Sequence, residues 1–243
     1  MLGFYFDWTY ILVLIGLIIS LIASGYMNST FKKYEKVRAM AGLTGKDVAE
    51  IILRNNNLYV PVMPIAGKLT DNYNPGDNTL HLSQSTYGSY SIAALGVAAH
   101  ECGHAIQHHT GYGPIRLRSA FVPIANIGAK IAFPLIIVGL IISGTYKASV
   151  RMGQPGIGYW IMMIGILCFS LSLVFQIITL PVEFDASARG IRILCDSGVI
   201  QTQEEKKAVK KVLTAAALTY VAAALATFLQ ILRLLIIANQ RRR

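Results

Sequence analysis

The segment 97–106 contains the spacing H-E-x-x-H, with His100 and His104 four residues apart and Glu101 beside the first histidine. Residues four apart lie on one face of a helix, so both imidazoles can reach one ion at about 2.0–2.1 Å. The carboxylate of Glu101 would lie close enough to take a proton from a water at that ion. The pattern predicts a catalytic zinc site; the alternative is a helix with two solvated histidines.

His108 continues the four-residue spacing, but we do not expect it to bind the same ion. Eight residues of helix span about 12 Å, which is too far for His100 and His108 to share one metal. The extended pattern H-E-x-x-H-x-x-G-x-x-H is also absent, because Gln107 and Thr110 occupy the required positions. His108 and His109 are expected to be exposed at the helix C-terminus, where the helix dipole favours cations.

A third metal ligand is expected from the acidic residues that follow the third apolar stretch, namely Glu183 and Asp185. Acidic residues at the end of a membrane span usually have a function. We expect Glu183 to bind the metal, unless it is only an acid favoured by a helix N-terminus. On a helix, Asp185 faces Arg189 and is expected to pair with it or to support a ligand. Ser187 shares a face with Glu183 and is expected to hydrogen-bond a ligating histidine.

Residues 79–83, which follow the turn-rich segment 71–78, alternate as in an edge strand. An edge strand can pair with the backbone of an extended peptide. The residues expected to bind substrate in this way are Thr79, Leu80, His81, Leu82 and Ser83. His81 is expected to face substrate or solvent rather than to bind the metal.

The composition is that of a membrane protein. Of 243 residues, 54% are hydrophobic and 14% are charged, whereas soluble domains carry about 25% charged residues. Four apolar stretches reach the roughly 20 residues that a membrane span needs, at 8–31, 121–146, 157–180 and 212–232. The net charge of +10 comes from basic residues beside these stretches, which indicates membrane topology and lipid contact rather than nucleic-acid binding.

Clusters of Lys and Arg at 32–38 and 206–211 predict that both large polar segments are cytoplasmic and that the N-terminus is outside. The predicted order is a transmembrane helix (1–27), a cytoplasmic segment with the H-E-x-x-H helix (28–118), two transmembrane helices with a short exterior link (119–180), a cytoplasmic segment with the third zinc ligand (181–211), and an apolar helix with a basic tail (212–243). Either the last helix crosses fully and places its basic tail outside, or it bends back.

Local signals place elements within the polar segments. Thr44 to Asp47 and Thr202 to Glu205 are typical of helix starts. A helix is predicted over 91–109, and Gly111 is expected to stop it. The predicted fold is therefore mostly α, with about four transmembrane helices and a zincin-like catalytic region that carries a small β element.

Three stretches carry a family pattern, namely H-E-C-G-H-A-I-Q (100–107), N-T-L-H-L-S (78–83) and L-P-V-E-F-D-A-S (180–187). Together they resemble the YugP-type membrane zinc metallopeptidases, and the resemblance covers nearly the whole chain. This family is similar to the HtpX-type gluzincins, where the Glu of an E-x-x-x-D motif completes the zinc site. The resemblance implies one Zn²⁺ per chain, bound by His100, His104 and Glu183, with Glu101 as catalytic base. Ser187 stands where that motif has Asp.

The function that we expect is hydrolysis of peptide bonds in protein or peptide substrates at the cytoplasmic face of the cell membrane. One alternative is a non-catalytic scaffold or chaperone stapled by zinc, but structural sites usually have four protein ligands. A second is a site-2-type intramembrane protease, although the apolar lead-in at 92–99 is too short to span a bilayer. A transporter is disfavoured, because no apolar stretch is visibly broken around paired acidic residues.

Overall fold

The computed structural model describes residues 7–145 and 155–242, and the chain divides into two compact units. One unit, called the helical unit here, comprises Met1–Ile22, Leu117–Ile178 and Tyr220–Arg243. The other, called the sheet unit, comprises Ala23–Arg116 and Thr179–Thr219. The H-E-x-x-H motif and the Glu183 segment both belong to the sheet unit.

Seven helices and three strands make up the described part of the chain. The helices are α1 (Tyr10–Tyr34), α2 (Gly45–Asn55), α3 (Gln84–Tyr87), α4 (Ile92–His109), α5 (Gly113–Thr145), α6 (Ile157–Asp196) and α7 (Gln203–Arg242). The strands are β1 (Val62–Ile65), β2 (Asn72–Asn74) and β3 (Thr79–Ser83).

Four helices, α1, α5, α6 and α7, are long and apolar enough to cross a membrane. Their most apolar windows are between 6% and 28% buried within the molecule. Apolar surface left uncovered to this extent is suited to lipid. The predicted fold class, mostly α with four transmembrane helices and a small β element, is confirmed. The exterior link predicted at 147–156 lies largely outside the described residues.

Small residues bring the helices of the helical unit close together. A methyl group at Gly139 of α5 would lie 2.6 Å from the backbone nitrogen of Met162 in α6. A methyl group at Gly16 of α1 would lie 3.1 Å from the Cα of Ala226 in α7. Such small residues let helix backbones approach in a membrane, where there is no hydrophobic driving force between helices.

The last helix is continuous from Gln203 to Arg242. It runs antiparallel to α1, because Ala226 faces Gly16 and the guanidinium of Arg233 lies 4.1 Å from the centre of the Tyr10 ring. The capping box that was expected at its start is present, since Glu205 N donates to Thr202 Oγ1 at 3.2 Å. The alternative in which this segment bends back is therefore wrong.

The sheet has the order β1-β3-β2, with β1 parallel and β2 antiparallel to β3. Alternation buries Leu80 and Leu82 of β3 completely in the core of the sheet unit, together with residues of α2 and α4. The strand predicted at Thr79–Ser83 is present. Its prediction as an edge strand is wrong, because β1 and β2 occupy both of its sides.

Side-chain caps fix where α2 and α4 begin. The side chain of Thr44 accepts from the backbone of Asp47, and the Asp47 carboxylate accepts from the backbone of Thr44. Ser91 Oγ accepts from Ala94 N at 3.2 Å and caps α4. These groups satisfy backbone donors that a helix start otherwise leaves unpaired. The helix starts predicted at Thr44 and Thr202 are both confirmed. Helix α4 matches the helix predicted over 91–109 to within a residue.

Two glycines bring α4 and α6 together inside the sheet unit. A methyl group at Gly103 of α4 would lie 2.5 Å from the carbonyl oxygen of Ala186 in α6. A methyl group at Gly190 of α6 would lie 2.9 Å from the carbonyl oxygen of Ala99 in α4. Both contacts are with backbone atoms, so a side chain at either position would push the helices apart. Gly103 lies within the turn of α4 that carries the two histidines, and Gly190 packs against the start of that turn at Ala99 and His100.

We predict that Gly103→Ala lowers the melting temperature of the purified protein in detergent. Overpacking of this kind costs about 1–3 kcal/mol, and roughly 2–4 °C is lost per kcal/mol in a chain of this size. Gly25→Ala in α1 is the control, because nothing lies within 4 Å of its added methyl group. Equal melting temperatures for the two variants would contradict the close contact.

Candidate metal centre

Helix α4 presents the candidate ligands from a buried, small-residue framework. Its sequence is rich in Ala and Gly, and most of its residues before the last turn are buried. His100 and His104 lie one turn apart, and their ring centres are 4.7 Å apart. Glu101 is 9% exposed, so its carboxylate is almost fully removed from bulk solvent.

Glu183 of α6 and the two histidines form a three-residue cluster. The candidate ligand atoms of the three residues all lie within 4.8 Å of one another. Glu183 Oε2 is 3.3 Å from His100 Nε2 and 3.6 Å from His104 Nε2. Ligands of a tetrahedral zinc ion at about 2.0–2.1 Å lie about 3.3–3.4 Å from one another. Two imidazoles and one carboxylate at these distances fit a zinc ion, and three protein ligands leave a fourth position for water or substrate.

Each histidine contacts a second polar side chain through Nδ1, the nitrogen that points away from Glu183. His100 Nδ1 lies 3.0 Å from Ser187 Oγ. His104 Nδ1 lies 3.0 Å from Gln107 Oε1. Partners at Nδ1 orient an imidazole and leave Nε2 for a metal. The structure therefore places Ser187 where the sequence analysis expected it, against a candidate ligand.

Gln107 is the member of the site that sequence reasoning missed. Its amide nitrogen donates to Val182 O and to Asp185 Oδ2, both at 2.8 Å. Asp185 also accepts from Arg189 Nε, so the pair expected four residues apart on α6 is formed. The position of Gln107 in the sequence could have identified it, because it lies three residues after His104, on the same face of the helix.

The carboxylate of Glu101, a residue of α4, is held by a backbone group of the sheet. Tyr73 N of β2 donates to Glu101 Oε2 at 3.1 Å. Tyr73 pairs with Leu80 across the antiparallel ladder, and its N–H points to the outer side of β2. A backbone donor fixes one carboxylate oxygen and leaves the other available for proton transfer.

Burial and nearby charges shift the pKa values of two side chains of α4. Burial lowers the pKa of His104, but the nearby carboxylates of Glu183 and Glu101 outweigh burial and raise it above its usual value. A proton therefore competes for His104 Nε2 in the absence of metal, and metal binding must release it. Burial raises the pKa of Cys102, whose thiol contacts Ala49 O of α2 at 3.7 Å and lies outside the cluster of candidate ligands.

The remaining histidines of the sequence analysis lie outside the three-residue cluster. His108 is half-buried and packs against Tyr73 with ring centres 5.5 Å apart and the ring planes tilted by 51°, so its predicted exposure is wrong. The physical reason is that β2 lies across this face of α4. His109 is exposed, as expected. His81 is partly buried on the central strand β3.

Comparison with known proteins agrees with this geometry. The family described as "Putative neutral zinc metallopeptidase" matches residues 9–239 of the chain. The chain belongs to this family. It is also 42% identical over 227 residues to a Bacillus subtilis (strain 168) protein named "Putative membrane protease YugP", covering 93% of this chain and 94% of that protein. No solved structure matches the chain.

Membership in the neutral zinc metallopeptidase family confirms the resemblance seen in the sequence and identifies Zn²⁺ as the cofactor. The match spans both units, so the apolar helices belong to the family together with the metal motif. The cluster of His100, His104 and Glu183 offers a donor set that fits this ion.

We predict that His104→Ala loses most of the bound zinc, whereas His108→Ala retains about one equivalent. His104 Nε2 faces Glu183, while His108 lies outside the cluster and packs on Tyr73. Metal content of the purified protein, measured by atomic emission after removal of loose metal, checks this. Equal loss in the two variants would refute the assignment.

Proposed function

We propose that the chain is a membrane-bound zinc-dependent endopeptidase that hydrolyses peptide bonds at the cytoplasmic face of the cell membrane. The observation that carries this proposal is the convergence of His100, His104 and Glu183, with the carboxylate of Glu101 fixed beside them. Membership in the zinc metallopeptidase family supports it.

In this proposal, His100 Nε2, His104 Nε2 and one carboxylate oxygen of Glu183 hold the metal. Zinc in such a site polarises a carbonyl group and lowers the pKa of water toward 7. The three side chains come from two helices that Gly103 and Gly190 hold in contact. The protein thereby fixes the donor set before metal arrives.

Glu101 acts as general base in this mechanism. Its carboxylate removes a proton from the attacking water and delivers that proton to the leaving amine. The backbone N–H of Tyr73 orients the carboxylate at 3.1 Å, so its position does not depend on a flexible side chain. A positioned base of this kind contributes about 10²–10⁴ in rate.

The outer edge of β2 replaces β3 as the proposed strand that binds substrate. β2 is an edge strand of the sheet, and its residues Asn72 and Asn74 are exposed. The N–H of Tyr73 that reaches Glu101 lies on this outer edge. That N–H is taken by Glu101, so an extended peptide would pair with the other backbone groups of this edge, such as the Tyr73 carbonyl, and would pass beside Glu101. Proteins or peptides, including membrane proteins, are the proposed substrates.

The proposed cytoplasmic orientation rests on basic residues at the membrane ends of the sheet unit. Lys32 and Lys33 lie in the last turn of α1. Exposed lysines at 206, 207, 210 and 211 follow the start of α7. An excess of Lys and Arg marks the cytoplasmic side of membrane proteins. Since these residues and the metal cluster belong to one unit, they would face the same side.

We predict that Glu101→Gln retains its zinc but loses turnover by about 10²–10⁴, because the base is removed while the donor set is intact. Glu183→Ala should lose zinc and activity together. Cleavage of casein and of a detergent-solubilised membrane protein, with metal content measured on the same samples, checks both variants.

Glu50→Gln provides the matched control, because Glu50 is a carboxylate of α2 that pairs only with Lys46 at the surface. It should retain both zinc and activity. Full activity of Glu101→Gln, free of contaminating proteases, would exclude Glu101 as the general base. A zinc-loaded unaltered chain that cleaves neither substrate would favour the non-catalytic scaffold. Full zinc content in Glu183→Ala would place the third ligand elsewhere, with Asp185 the next candidate.

We predict that single cysteines at Met40 and Lys207 react only from the cytoplasmic side, in a chain lacking its three native cysteines. Both positions are exposed in the sheet unit. A cysteine at Ile157, which begins α6 and is 70% exposed, should react only from outside. A membrane-impermeant thiol reagent applied to intact and opened cells distinguishes the sides. Labelling of Met40 and Lys207 from outside would overturn the orientation.

A further inference from the structure

The amide of Gln107 is a fully buried polar group at the contact between α4 and α6, with 0% of the residue exposed. A buried amide costs free energy unless its hydrogen-bonding groups have partners. The amide nitrogen donates to Val182 O and to Asp185 Oδ2, and Oε1 faces His104 Nδ1 at 3.0 Å. The side chain therefore bridges a histidine of α4 and a turn of α6.

The direction of each hydrogen bond follows from the chemistry of the partners. A backbone carbonyl only accepts, and the Asp185 carboxylate, paired with Arg189, also accepts. Both must face the amide nitrogen of Gln107, which leaves its Oε1 toward His104. Since Oε1 only accepts, His104 Nδ1 must carry the proton. The lone pair of His104 is then on Nε2, the atom that faces Glu183.

His100 is held differently. Its Nδ1 partner is the hydroxyl of Ser187, which can donate or accept. A hydroxyl contact orients the ring without determining which nitrogen carries the proton. Gln107 is thus the group whose hydrogen bonds select one tautomer of a candidate zinc ligand.

The same amide contacts the backbone next to the third candidate ligand. Val182 precedes Glu183 on α6, and its carbonyl accepts from Gln107 at 2.8 Å. We propose that Gln107 is a positioning residue for the zinc site: its amide fixes the tautomer of His104 and ties it to the turn of α6 that bears Glu183. This inference rests on the zinc site proposed above.

The test compares Gln107→Met with Gln107→Glu. Methionine keeps the size but removes the acceptor, so zinc affinity should fall about 10–100-fold, as for other partners of metal-ligating histidines. Glutamate keeps an oxygen toward His104. Its carboxyl lies among acceptors, Val182 O and Asp185 Oδ2, which favour the protonated form, whose O–H can donate to one of them. The zinc affinity of Gln107→Glu should fall by less than about tenfold.

A role in packing alone gives the opposite order, because methionine fills a buried site well and a buried carboxylate does not. Zinc affinity is measured by chelator competition on the full chain in detergent. The visible absorption of the Co²⁺-loaded protein should change in Gln107→Met and stay close to that of the unaltered chain in Gln107→Glu. Gln176→Met, a glutamine of α6 in the helical unit, is the control that should change neither. Unchanged zinc affinity and cobalt spectrum in Gln107→Met would overturn the proposal.

If Gln107→Met fails to fold, as judged by its melting curve without metal, Gln107→Glu decides. Tight zinc binding by that variant supports the positioning role, and a loss of tenfold or more overturns it. The proposed function is tested separately by His104→Ala. Loss of zinc in His104→Ala together with no effect at Gln107 would reject this inference alone, whereas zinc retained in His104→Ala would reject the site itself.

Discussion

The close contact of α4 and α6 is the constraint on which the candidate site depends. Glu183 can reach the two histidines only because backbone meets backbone at Gly103 and Gly190. A carboxylate 3% exposed between two imidazoles is costly unless a cation offsets its charge. The contact between the helices therefore creates a buried donor set whose charge a divalent ion balances. The hydrogen bonds of Gln107 and Ser187 cross the same contact.

The sheet supplies the other half of the arrangement. Leu80 and Leu82 anchor β3 in the core of the sheet unit, and β2 pairs along its outer side. This pairing brings Tyr73 N to the carboxylate of Glu101. Glu101 is thus fixed from the sheet, whereas the candidate zinc ligands are fixed between two helices. Substitutions can therefore change Glu101 or the candidate ligands independently, so that metal binding and proton transfer can be tested separately.

Periodicity and spacing were sufficient to predict the spans, the motif helix and Glu183 as its partner, because each depends on local or topological rules. The order of the strands was not predictable in this way. Alternation along Thr79–Ser83 reports one buried face, and a central strand with one exposed face shows the same pattern as an edge strand. Gln107 was missed for a related reason. A glutamine near a helix end is usually exposed, and only the approach of α6 buries this one.

The partners of the two histidines also bear on how much positive charge a bound metal would retain. A carboxylate at Nδ1 raises the basicity of a metal-binding imidazole. Here the partners are a neutral hydroxyl and a neutral amide, and the negative charge of Asp185 lies one hydrogen bond further away and is paired with Arg189. Neutral partners orient the rings without adding negative charge to them. In the proposed mechanism, zinc held in this way would keep more of its own charge for polarising a carbonyl group. Ser187, which stands where the similar gluzincin motif has Asp, therefore fits a site in which orientation and charge come from different residues.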